Sequence, residues 1–233
     1  MNSYHDREYT YPLADWMRQF IAECGKLGQT PRKRTQEFLD AHNSFSSDEY
    51  SKDGYCSSAM VQRRHFSINV SWSLPCTEAV EAIASSCWRT WPTTGIIDVC
   101  AGTGYWAAVL LQAGLQVTAV DIQPPRPRNF RFPRSEVLCM DGVHALACYP
   151  GRDVFMSWPP YDDPFGANVV RAMKPGQRLY FVGEYEGCTG DGYLFRVLEE
   201  DFTEIQNVNI PRFEALYDSL FIYECVRKES DNA

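Results

Sequence analysis

Leu13, Trp16, Met17, Phe20, Ile21 and Cys24 recur at helical spacing, which predicts an amphipathic helix over 12–24, closed by Gly25 and Gly28. Thr30-Pro31 reads as an N-cap and first-turn proline opening a second helix to about Ala41, with Phe38 and Leu39 facing inward. Residues 43–58, rich in Asn, Ser, Asp and Gly, read as a loop. Thr77 starts a third helix with Glu78 and Glu81 in its first turn; its apolar face is Val80, Ile83, Ala84, Cys87 and Trp88.

From Gly95 the pattern changes to short β-rich runs alternating with helical ones. Strands are expected at 96–100, 116–120, 136–139, 153–157 and 177–182, with helices at 105–113, 143–148 and 164–173 between them. Two further β-like runs, 203–210 and 220–226, have no helical pattern between them and read as an antiparallel finish. The alternation implies βαβ units and a mainly parallel sheet. The expected organisation is a helical N-terminal extension or lid over 1–94 and an α/β domain over 95–233.

Composition narrows the classes. Of the 233 residues, 45% are hydrophobic and 22% charged, as in an ordinary globular chain. The longest apolar runs are far too short to cross a bilayer, and the polar Met1–Thr10 has no signal-like apolar segment. The net charge is -8, concentrated after residue 94, a poor basis for generic nucleic-acid binding. Nine cysteines without CxxC spacing read as thiols in a reducing, cytoplasmic compartment. His5, His42, His65 and His144 are scattered, so no metal site is expected; His65 and His144 read as structural. The segment 124–134 interleaves Arg126, Arg128, Arg131 and Arg134 with Phe130 and Phe132. It reads as a stiff surface loop before it reads as a phosphate or base binder.

The sharpest local signal is Asp98-Val-Cys100-Ala101-Gly102-Thr-Gly104: a strand ending in an acid, a glycine turn, then a helix whose first N–H groups are unpaired. Read as Gly102-x-Gly104-x-x-Ala107, it could serve a dinucleotide, with Asp121 on a ribose. The acid weighs against that: a carboxylate repels a pyrophosphate and attracts an ammonium. The segment resembles motif I of the class I S-adenosylmethionine (SAM)-dependent methyltransferases, with Cys100 where that family has its first glycine. The resemblance covers roughly 95–226. It includes Asp121-Ile122 after the second strand, Asp141-Gly142 after the third, Lys174-Pro175-Gly176 before the fifth, and Ser157-Trp158-Pro159-Pro160-Tyr161 after the fourth. The last is similar to motif IV of the amino-methyltransferases, with Trp158 in place of Asn, Asp or Ser.

The resemblance implies a Rossmann-like, mainly parallel seven-stranded sheet with an antiparallel strand near one edge, and S-adenosyl-L-methionine as cofactor. It implies Asp98 on the cofactor's amino group, Asp121 on the ribose and Asp141 on the adenine amine. Cys100, Ala101, Gly102, Gly104, Ile122, Gly142 and Ser157 line the same site. Trp158, Pro159, Pro160, Tyr161 and Asp162 are the candidate acceptor-side residues. Trp158 donates only and cannot accept from an amine, so main-chain carbonyls near Trp158 and Pro159, or Asp162 and Asp163, are the available acceptors. Each has a plainer role open to it: Asp98 as a cap on the next turn, Asp121 as a simple strand exit, Asp141-Gly142 as a simple turn, Trp158 and Tyr161 as packing. Glu184 reads equally as a substrate-facing or an exposed loop acid, and Trp72 as a core residue. The expected reaction is methyl transfer to a small-molecule or protein side-chain acceptor, at nitrogen, with oxygen ruled out by no residue. The rivals are a nucleic-acid adenine or cytosine amino-methyltransferase and a non-catalytic partner subunit of the same fold. No membrane partner is expected, and the oligomeric state has no signature.

Overall fold

The computed structural model describes residues 14–42, 58–89, 95–125 and 133–227. The expected loop over 43–57 and most of the arginine-rich stretch, 126–132, lie outside them. Strands β1 (Ile96–Val99), β2 (Val117–Asp121), β3 (Val137–Cys139), β4 (Asp153–Ser157), β5 (Arg178–Gly183), β6 (Phe202–Asn209) and β7 (Ser219–Cys225) form one sheet in the order β3-β2-β1-β4-β5-β7-β6. β1 to β5 pair in parallel, while β7 lies antiparallel between β5 and β6. This is the mainly parallel sheet with an antiparallel finish that the alternation of elements predicts, and the seven-stranded Rossmann-like arrangement that the resemblance implies.

Side-chain alternation along the strands separates two cores. Ile97 and Val99, Val154 and Met156, and Leu179 and Phe181 face one side, against Val169 and Val170 of α7 (Phe165–Ala172) and Leu194 and Leu198 of α8 (Gly192–Asp201). Ile96, Phe155, Tyr180 and Val182 face the other, against Ile83 of α4 (Thr77–Arg89) and Trp106 and Leu110 of α5 (Tyr105–Gln112). Burial on both faces explains why these strands read as nearly continuous apolar runs. α6 (Gly142–Cys148) joins the first face through Ala145 and Leu146.

A third core joins the N-terminal helices to this body. Met17, Phe20 and Ile21 of α1 (Asp15–Glu23), Leu39 of α2 (Arg32–His42) and Phe66 of α3 (Ser58–Asn69) pack with Tyr105 and Val109 of α5 and with Phe213 and Leu216. The Tyr105 hydroxyl donates to the Cys24 carbonyl at 2.8 Å.

Three local expectations change. The first helix ends at Glu23 but runs on as a 3-10 helix, Cys24–Gln29, through both glycines expected to stop it. Thr30 does not cap α2: its hydroxyl donates back to the Lys26 carbonyl, and the Glu78 carboxylate accepts from the Arg32 N–H at 2.8 Å instead. Helices α3 and α8 are additions. The apolar stripe of α3 is weak, and α8 follows a loop whose glycines obscure its start.

Gly28 faces Val109 so closely that an added Cβ would collide with that side chain. Gly28→Ala is expected to destabilise the protein by about 1–3 kcal/mol, measured by denaturant unfolding, by forcing the N-terminal helices off α5.

Candidate functional site

The chain leaves β1 for β2 on one side of the sheet and returns to β4 on the other, so a topological switch point opens between the carboxyl ends of β1 and β4. The segments after β1 to β5, and the β6–β7 connection, meet at this edge. There Ser219 pairs with Gly183, and Cys100 Sγ donates to the Ser157 carbonyl at 3.5 Å.

Asp98 sits in β1, on the strand face that α4 and α5 cover. It is 1% exposed, and neither carboxylate oxygen has a hydrogen-bond partner. Burial, aided by the nearby Asp121 carboxylate, pushes its pKa well above the ordinary carboxylate range. The Ala107 amide acts the other way without closing a hydrogen bond. A buried, unpartnered carboxylate calls for a cation or a proton.

The turn after it is tightly held. Cys100 lies at φ 55°, a left-handed conformation in which a Cβ is strained. Asp121 pins the turn: Oδ2 accepts from the Gly102 N–H at 2.9 Å and Oδ1 from the Gln123 N–H at 2.8 Å. Each oxygen retains a lone pair. Ala101 donates its N–H to the Val120 carbonyl, and Ile122 is exposed. Nothing lies within 4 Å of the direction a Cβ on Gly102 would take, so open space borders the turn there. At Gly104 (φ 77°) a Cβ would meet the Ser135 carbonyl oxygen at 2.7 Å. Asp141 caps α6, with Oδ1 accepting from the His144 N–H at 3.0 Å, and Gly142 is packed under Phe165.

The segment after β4 is twisted and clamped. Trp158 (φ 51°) and Asp162 (φ 53°) are both left-handed. The Pro159 carbonyl, one of the two expected amine acceptors, takes the Gly190 N–H, and Asp162 donates its N–H to the Gly190 carbonyl. Pro160 and Asp162 are exposed, Tyr161 is 71% exposed, and Asp163 caps α7 through the Phe165 N–H. The Trp158 ring turns away from these residues and stacks on Trp72 at 5.3 Å between centroids. Trp72, expected in the core, is 38% exposed because this stacking holds it at the rim. Ser73 bridges the Ser157 hydroxyl and the Trp106 indole, both at 2.8 Å, and Thr103 donates to the Val70 carbonyl. The α3–α4 connection thus lies across both the glycine turn and the β4 exit.

Sequence reasoning missed two of the residues around Trp158. Asp218, 1% exposed, accepts from the Trp158 indole N–H at 2.9 Å. Burial pushes its pKa up to about 7; Glu184 adds to the rise, and the Trp158 hydrogen bond, Arg63 and Arg212 oppose it. Arg63 lies over the Trp158 ring, 5.7 Å from its centroid. Glu184 is not the exposed loop acid of one reading: it is 6% exposed, and its oxygens accept from the Cys188 and Tyr217 N–H groups. A buried acid in a plain Tyr-Asp-Ser run carries no motif; only the fold reveals it.

No family model and no curated protein matches this chain. Solved structures do resemble it. A SAM-dependent methyltransferase from Anabaena variabilis aligns with a TM-score of 0.44 at 10% identity, covering 72% of this chain and 93% of that one. The N-methyltransferase NodS from Bradyrhizobium japonicum, in complex with S-adenosyl-l-homocysteine, aligns at 0.43 and 15%, covering 83% and 99%. Magnesium protoporphyrin IX methyltransferase (ChlM) from Synechocystis, with bound SAM, aligns at 0.41 and 15%, covering 83% and 97%. The likeness is one of overall fold. Among the described residues, no helix is long and apolar enough to cross a membrane.

Because Asp98 holds its proton more tightly when folded, ionising it opposes folding, and that opposition grows as pH rises above the carboxylate range of the unfolded chain. Asp98→Asn is expected to raise the melting temperature of the ligand-free protein, with a larger gain near about pH 8 than near about pH 5. Thermal scans at both pH values check this.

Proposed function

We propose that the chain is a SAM-dependent methyltransferase acting on a small-molecule or side-chain acceptor, at nitrogen. The observation that carries the reading is the Asp98 carboxylate, buried and without a hydrogen-bond partner beside an open glycine turn. A dinucleotide pyrophosphate would bring further negative charge to it; an ammonium would neutralise it.

The residues present fit the cofactor. Asp98 would hold its cationic amino group, Asp121 its ribose hydroxyls through the remaining lone pairs, and Asp141 its adenine amine. Cys100, Ala101, Gly102 and Gly104 would form the turn beneath it, with Ile122, Gly142 and Ser157 alongside. When bound, the cofactor supplies a methyl group on a sulfonium. The chain's own work is to fix the acceptor nitrogen in line with that methyl and to keep water away. The α3–α4 connection, with Trp72 on Trp158, is suited to the second task. Residues 1–94 serve in this reading as a lid on the 95–233 domain.

A second reading, methylation of an extrahelical nucleobase, draws on the exposed ring of Tyr161, which could stack a base.

Asp98→Ala is expected to weaken SAM binding about tenfold or more in titration calorimetry, the worth of a charge-assisted contact. Wild-type affinity in that variant would overturn the assignment. Tyr161→Ala is expected to leave SAM affinity unchanged and to lower turnover, measured as labelled methyl transferred to fractionated small-molecule, protein and nucleic-acid pools.

A further inference from the structure

Around Trp158 a buried anionic group and a half-buried cationic one are held without an ion pair between them. Asp218 is buried at the start of β7 and takes the Trp158 indole N–H on Oδ1. Arg63, from α3, lies over the same indole, and its Nε is buried with no hydrogen-bond partner among the described residues. No ion pair within 4.0 Å joins Arg63 to Asp218 or to Glu184. Two opposite charges thus meet on one side chain without bridging each other. Desolvating an arginine and an aspartate without pairing them is unfavourable, and a ligand that meets both would relieve it.

The rest of the surroundings is closed to new ligands. The Glu184 oxygens are taken by the Cys188 and Tyr217 amides, and Arg212 spends its guanidinium on the Asp218 carbonyl, Asn209 and Ser219. Asp162 and Asp163 point their loop to solvent. The carboxylate beside the β4 exit is therefore Asp218.

We propose that Arg63, Trp158 and Asp218 form the acceptor subsite, and that it takes an amine carrying its own carboxylate, an amino acid or a derivative that keeps both charges. This rests on the methyltransferase reading above. Arg63 receives the ligand carboxylate, for which its planar fork is suited. Asp218 receives the ammonium and takes one proton from it. The N–H bond breaks, its electron pair stays on nitrogen, and Asp218 becomes the neutral acid. The nitrogen pair forms the new N–C bond as the donor's S–C bond breaks and its pair returns to sulfur. The methylated ammonium keeps the positive charge, and Asp218 returns its proton to water. Trp158, unable to accept from an amine, acts by holding the carboxylate that can.

Asp218 is faced by the Trp158 N–H, Glu184, Arg63 and Arg212, and with these it titrates at about 7. A proton acceptor must be ionised, so kcat/KM on the acceptor is expected to fall as pH drops below that value.

The test uses the full chain loaded with S-adenosylhomocysteine for binding and with SAM for transfer. The probes are the twenty common amino acids, their decarboxylated amines, their deaminated acids and a single-stranded oligonucleotide. At least one amino acid is expected to bind about ten- to a hundredfold more tightly than its amine or its acid. Arg63→Gln should erase the preference over the amine, while Asp218→Asn should erase the preference over the acid and flatten the acidic limb of the pH profile. Thermal unfolding of both variants identifies any that fail to fold; Arg63→Lys and Asp218→Glu, which keep the charges, then stand in and should retain partial preference. Binding of SAM with no discrimination among the probes, a preference unchanged in Arg63→Gln, or capture of the oligonucleotide alone would overturn the subsite. Failure to bind SAM at all would overturn the methyltransferase reading instead.

Discussion

The structure is organised around a carboxylate left without a partner. Asp98 lies inside the sheet body, and leaving an ionised carboxylate there unpaired is far more costly than leaving a hydroxyl or an amide. Two other buried acids show what a purely structural solution looks like. Asp153, at the opposite end of the sheet, takes the Arg178 N–H at 2.8 Å and the Tyr180 hydroxyl at 3.3 Å; burial still pushes its pKa up to about 6. Glu184 takes two backbone amides and staples the β5–α8 loop to the β6–β7 connection. Both are satisfied by the chain itself. Asp98 is not, and it stands at the crevice where the sheet topology places ligands.

The N-terminal helices matter through one short connection. Val70, Trp72 and Ser73 reach across the glycine turn and the β4 exit by a carbonyl, a ring and a hydroxyl. Ser73 also receives the Trp106 indole, so one hydroxyl links α5, the β4 exit and the extension. Anything that shifts α3 and α4 against the sheet moves both halves of the crevice. The packing of Tyr105 and Val109 into the third core ties the same extension to the helix that begins at Gly104.

Much of this was legible in the residues. The alternation of short apolar runs with helical stripes leads to the parallel sheet, because each βαβ unit leaves its period in the chain. The acid before a glycine turn locates Asp98, and the double proline locates the β4 exit. What stayed hidden depends on distance in sequence. Asp218 and Arg63 meet at Trp158 only after β7 inserts between β5 and β6 and α3 folds over the edge. Nothing local to either residue announces that. Helix α3 hid for another reason: its buried Phe66 is too little to make a stripe against the arginines beside it. Trp72 misled because aromatic residues are usually read as core, whereas here one ring covers another at the rim.

The strain in the backbone gives an independent sense of what this edge is for. Among the described residues, the non-glycine positions with positive φ are Cys100, Trp158, Asp162, Glu186 and Ala215. All five lie after β1, β4 or β5 or in the β6–β7 connection, at the carboxyl end of the sheet; none lies at the other end. Each costs about 1 kcal/mol or more relative to a relaxed conformation. A glycine at Cys100 or an asparagine at Trp158 would reduce that cost. Burial and the Asp98 and Asp121 carboxylates push the Cys100 thiol well above its ordinary range. Its Sγ reaches the Ser157 carbonyl, and the left-handed Trp158 brings its indole to Asp218. Cys100, Trp158 and Asp162, three of the strained residues, join neighbouring strand exits. The distortion sets the position of the groups around the crevice, and the opposite end of the sheet, free of strained non-glycine residues among those described, holds the fold against it.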